Sequence, residues 1–100
     1  MSGRVEIRTD RIDDAVARGE LPMPAVIKLD VEGAEVRALR GMRRVLAASG
    51  LRSLFVELHP DFLPSFGDSL SEAERIIEGA GLRTVYESSR AGQIHRIYRR

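Results

Sequence analysis

The chain has 100 residues, of which 43% are hydrophobic and 31% charged, the balance of one small globular domain and not of a disordered or membrane-embedded chain. Sixteen basic residues against fifteen acidic ones leave a net charge of +1; the basic residues, all but one of them arginine, are scattered over every segment, so neither nucleic acid nor a membrane surface is expected as a partner. Cysteine is absent, which excludes disulfides and thiolate chemistry, and with no apolar leader and no run near the roughly 18 residues of a membrane span the expected location is cytoplasmic.

Val5 and Ile7 alternate with Glu6 and Arg8, the pattern of a short strand, after which Thr9 or Asp10 is placed to cap a helix carrying Ile12, Ala15 and Val16 inward as far as Gly19. Pro22 and Pro24 then restrict a linker. Residues 25–31 follow as a nearly continuous apolar run, which predicts a parallel strand covered on both faces. In residues 34–48 the spacing of Val36, Leu39, Met42, Val45 and Leu46 predicts one amphipathic helix, with Arg37, Arg40, Arg43 and Arg44 on its other side. Residues 54–58 read as the next buried strand, so that 25–58 form one right-handed β-α-β unit.

The stretch 59–68 holds Pro60 and Pro64, which argue against regular structure, and Phe62, Leu63 and Phe66, which argue for a lid or packing flap. Ser71 with Glu74 suits a capping box for a helix whose core face is Leu70, Ala73, Ile76, Ile77 and Ala80 and whose stop is Gly81. Strands at 82–86 and 94–98, joined by a polar turn through residues 88–92, close the chain as an antiparallel hairpin.

Chemistry concentrates in Lys28-Leu29-Asp30-Val31-Glu32-Gly33-Ala34-Glu35, a buried strand that ends in carboxylates and a glycine before a helix. Ligands of open α/β sheets bind beyond the carboxyl ends of strands, so Asp30 and Glu57, near the ends of two adjacent strands, should face one crevice. Their mutual repulsion is relieved there by a shared proton or a divalent cation, and Mg²⁺ suits oxygen donors. Glu32 and Glu35 fall in the first helical turn, where acidic side chains simply complement the helix dipole, and Gly33 suits a tight strand-to-helix turn.

The string from Ile27 to Glu35, then Leu39-Arg40-Gly41 and Val56-Glu57-Leu58-His59, resembles the C-terminal half of FkbM-type methyltransferases, and Thr9-Asp10-Arg11-Ile12-Asp13-Asp14 extends the likeness upstream. The resemblance implies an α/β fold: part of a Rossmann-like class I methyltransferase sheet of four to five strands, mostly parallel with an antiparallel last strand, flanked by helices. It places the strands in the order 25–31, 52–58, 94–98, 82–86. It further implies transfer of a methyl group from S-adenosylmethionine to a hydroxyl of a sugar or natural product. Asp30 and Glu57 stand where related metal-dependent enzymes hold Mg²⁺, while Leu58 replaces an acid or amide that some of them carry. His59 is the candidate general base, its neutral imidazole suited to take the hydroxyl proton, whereas His95 reads as a strand residue. The candidate catalytic set is therefore His59, Asp30 and Glu57.

No glycine-rich turn follows a strand, so the donor-binding half is expected to be absent and residues 1–100 to be the C-terminal half of a domain. The strand at 25–31 is then expected to have an exposed edge, open to a homodimer partner or to a separate N-terminal half. The alternative function is a non-catalytic or split-subunit module, or one that recruits an acidic ligand through its arginine row.

Overall fold

The computed structural model describes residues 4–7, 11–31 and 33–100, and for residues 4–7, 65 and 66 only the backbone. The elements run β1 (Arg4–Ile7), α1 (Ile12–Ala17), β2 (Val26–Leu29), α2 (Glu35–Arg40), α3 (Arg43–Ala47), β3 (Ser53–Leu58), a 3₁₀ turn (Leu63–Phe66), α4 (Leu70–Gly79), β4 (Arg83–Arg90) and β5 (Gln93–Arg99). They build one mixed five-stranded sheet in the order β1-β2-β3-β5-β4, flanked by helices. The first three strands are parallel, and β5 runs antiparallel to both β3 and β4. The expected order of the last four strands is therefore the observed one.

Where β2 was expected to present a bare edge, β1 pairs with it over its whole length, from Arg4 opposite Val26 to Ile7 opposite Leu29. The short alternating segment at the start of the chain thus satisfies the backbone groups that an unpaired β2 would expose.

Among the described residues, cover on both faces is not observed either. Ile27 and Leu29 of β2, Leu54, Val56 and Leu58 of β3 and Tyr98 of β5 pack in one cluster with Ile12, Val36, Leu39, Met42, Leu46 and Ile77 of the helices. Alternate residues point the other way, and there Lys28, Phe55, Ile97 and Tyr86 form a cross-strand row, with Phe55 42% and Tyr86 55% exposed. Lys28, the one polar residue of β2, marks the open face.

The single helix expected over 34–48 is broken into α2 and α3 at Gly41 and Met42. The cause lies in α1. A Cβ on Gly41 would sit 3.2 Å from the Arg11 Cα, the Gly41 carbonyl accepts from the Asp13 amide at 2.9 Å, and the Asp13 carboxylate accepts from the amides of Arg44 at 2.9 Å and Val45 at 3.0 Å. Asp13 thus caps α3 from a neighbouring helix.

Three further expectations shift. The first helix begins after Arg11, which makes no side-chain cap, while Thr9 and Asp10 lie outside the described residues. The α4 cap is Ser69 with Glu72, two residues before the expected pair, and the Glu72 amide donates to Ser69 Oγ. The closing hairpin is longer than expected, because Ala91 and Gly92, both at positive φ, make a two-residue turn that lets β4 continue to Arg90. At its other end Arg100 donates to the carbonyls of Leu46, Leu51 and Ala80, tying β5 to the ends of α3 and α4. Among the described residues no helix is long and apolar enough to cross a membrane.

Candidate active site

Parallel pairing in register, Leu29 opposite Val56, brings the ends of β2 and β3 side by side. Asp30 follows the last residue of β2, Glu57 is the penultimate residue of β3, and His59 follows its end. One ligating atom from each of the three lies within 4.8 Å of the others. The sequence therefore named three residues that the fold does bring together.

Exposure differs sharply within this group. The Asp30 side chain is 47% exposed and that of Glu57 20%, whereas that of His59 is 3% exposed. The imidazole Nε2 faces both carboxylates, 3.9 Å from Asp30 Oδ1 and 3.8 Å from Glu57 Oε2. Phe62, half exposed, stacks on a face of the ring with centroids 5.8 Å apart, so the start of the 59–68 loop flanks the site. The regular structure that the prolines argued against is a single 3₁₀ turn with Pro64 in its first positions, where a missing amide costs nothing.

Burial, and then the neighbouring Asp30 carboxyl within hydrogen-bonding reach, raise the Glu57 carboxyl above its ordinary range, while His95 and His59 pull it back. Glu57 and Asp30 can therefore share one proton or one cation.

Two residues of the site were not foreseen. Glu35 was read as a helix-start acid, but it is fully buried. Its carboxylate accepts from the amide of Gly33 at 2.5 Å and from that of His59 at 2.9 Å, and its Oε1 lies 3.4 Å from His59 Nδ1. His95, read as a strand residue only, stands opposite Glu57 in the β3-β5 ladder and brings Nε2 to 3.2 Å from Glu57 Oε1. The signal for His95 was the strand register; that for Glu35 was the third carboxylate of a motif whose first lies at a strand end. Glu32 lies outside the described residues.

On the open face beside these groups is a shallow pocket of about 360 Å³, lined among others by Lys28, Asp30, Phe55, Glu57, Tyr86 and His95. Residues 2–84 match the family described as Methyltransferase FkbM domain. The chain belongs to this family. The FkbM match covers Asp30, Glu35, Glu57 and His59 and ends at the start of β4, before His95. A stretch of 57 residues is also 40% identical to the hexuronic acid methyltransferase AglP of Haloferax volcanii, covering 57% of this chain and 23% of that protein. The chain thus matches under a quarter of its curated relative's length. No solved structure matches.

FkbM membership implies S-adenosylmethionine as methyl donor. The turn before α2, the natural place for an anionic group, has its Gly33 amide taken by Glu35. A divalent cation fits the strand ends: two carboxylates converge there with the imidazole nitrogen Nε2, which lies 3.9 Å from Asp30 and 3.8 Å from Glu57.

Proposed function

We propose that this FkbM-family chain carries the acceptor side of an S-adenosylmethionine-dependent O-methyltransferase with a Rossmann-like class I sheet. The acceptor is a hydroxyl of a sugar or natural product, and the uronic acid substrate in the relative's name supports the sugar. The carrying observation is the convergence of Asp30, Glu57 and the buried His59 at the ends of two parallel strands, next to an open-face pocket.

Methylation of a hydroxyl requires that its proton leave as the methyl group arrives. His59 presents Nε2 toward the mouth of the site and, as a neutral imidazole, accepts that proton. Asp30 and Glu57 are the residues that would hold a divalent cation, which would supply Lewis-acid polarisation of the hydroxyl. Phe62 and Tyr86, both exposed, offer flat apolar surfaces for the carbon-bound faces of a sugar ring, and Lys28 a cation for a uronic carboxylate. The residues that hold the donor lie outside this set.

The test is transfer of labelled methyl from S-adenosylmethionine to uronic-acid glycans, by the chain alone and by the chain complemented with the donor-binding half of another FkbM-family enzyme. Transfer is expected in the complemented mixture and is expected to drop at least 100-fold with Asp30→Asn or Glu57→Gln in this chain, the scale of a lost positioning or acid-base group. Undiminished transfer by either variant removes that residue from the mechanism.

A further inference from the structure

The third group of the cluster is a nitrogen, and its surroundings are those of a metal ligand. His59 is buried to 3% side-chain exposure, yet no hydrogen bond satisfies its Nδ1. That nitrogen lies 3.4 Å from Oε1 of Glu35, a fully buried carboxylate. The opposite ring nitrogen is the one that faces Asp30 and Glu57. Glu35 is itself anchored twice through the backbone, by Gly33 and by His59, so its position does not depend on the imidazole.

We propose that Glu35, His59, Asp30 and Glu57 form a carboxylate–histidine–metal site: Nδ1–H donates a hydrogen bond to the Glu35 carboxylate, and Nε2 joins the two carboxylates on a zinc-class transition ion bound in preference to Mg²⁺. The inference rests on the reading that Asp30 and Glu57 hold a cation, and adds its third ligand, its supporting residue and its metal class; with Nε2 on the metal, His59 is a ligand in place of the general base named above, and the proton of the hydroxyl, made more acidic by the ion, passes to water. Mg²⁺ demands oxygen donors, whereas an imidazole nitrogen favours the later first-row ions. A carboxylate behind the ligating histidine fixes the tautomer and makes Nε2 more basic, and removal of such a partner typically weakens metal affinity 10- to 100-fold. Three protein ligands leave a coordination position open for the acceptor oxygen. Glu35 touches neither metal nor acceptor, so it is a positioning residue.

Calorimetric titration of the purified protein with zinc chloride and with magnesium chloride tests this, together with ¹⁵N NMR of the His59 ring. The expected result is one zinc per chain, bound at least 100-fold tighter than magnesium, with Nδ1 carrying the proton and Nε2 ligated. Glu35→Gln, checked for an intact fold by its melting transition, is expected to weaken zinc about 10- to 100-fold, and His59→Gln by more. If Glu35→Gln does not fold, the wild-type metal preference and the wild-type tautomer still decide. Ion binding that depends on Asp30 and Glu57 but not on His59, or that favours magnesium, overturns this proposal and leaves the cation reading standing. Binding of neither ion overturns both.

Discussion

At the scale of single residues, Glu35 shows how far burial changes what a carboxylate does. On a solvated helix start it would stabilise by tenths of a kcal/mol; fully buried, it accepts two backbone amides. Glu35→Ala leaves both amides without a partner and is expected to cost about 1–3 kcal/mol for each amide that water does not reach, measured by urea denaturation. Glu57 works in the opposite sense. Its carboxyl is raised by burial and by Asp30, so its protonated form contributes stability at low pH, and that contribution is lost as pH rises through the raised value. Metal-free Glu57→Gln should therefore melt higher than the wild type at neutral pH and no higher under acid conditions, where Glu57 is protonated. Asp30, Glu57 and His59 were legible because polar residues closing apolar strands invite a functional reading. Glu35 was not, because its burial is decided by the β3-His59 backbone packed over it, 24 residues away in sequence.

At the scale of elements, local pattern located the five strands and the helical segments of the described residues, but it merged α2 with α3, left out the 3₁₀ turn at Leu63–Phe66 and misplaced several boundaries. The break in the helix over 34–48 is the clearest case. The apolar spacing continues through Gly41, but the backbone of Arg11 occupies the space beside it, and Asp13 supplies the cap that lets α3 start afresh. Asp13→Ala is expected to cost about 0.5–2 kcal/mol, the range for a lost helix cap, read from the denaturation midpoint. The hairpin turn gives a prediction of opposite sign. Ala91 holds φ at 51°, a conformation that costs a residue with a Cβ about 1–2 kcal/mol. Ala91→Asn, which tolerates that region, should raise the melting temperature.

For the molecule as a whole, strand order came with the family resemblance, while the one-sided cover of the sheet did not. A run such as residues 25–31 reads as buried on both faces when its one lysine is overlooked. The two faces can be told apart by neighbouring substitutions on β3. Leu54 is fully buried under the helices and Phe55 is 42% exposed on the open side. Leu54→Ala is expected to cost about 2–5 kcal/mol, as core leucines do, whereas Phe55→Ala should cost far less, by chemical denaturation of both variants.

The insertion of β5 between β3 and β4 has a consequence for the order of assembly during synthesis. β4 is completed before β5, but among the described residues its only neighbour in the sheet is β5, so on leaving the ribosome it has no ladder to join. The three parallel strands and their helices can gather around Leu29, Leu54 and Val56 while the hairpin is still being made. The outermost strand then waits for a partner that arrives after it, and the aromatic ring that completes the core, Tyr98, comes with that partner. Sheet closure is therefore a late, non-local event, and nascent chains halted before residue 93 should protect the amides of β2 and those of β3 that face β2 from exchange, while leaving open those of β4 and those of β3 that await β5.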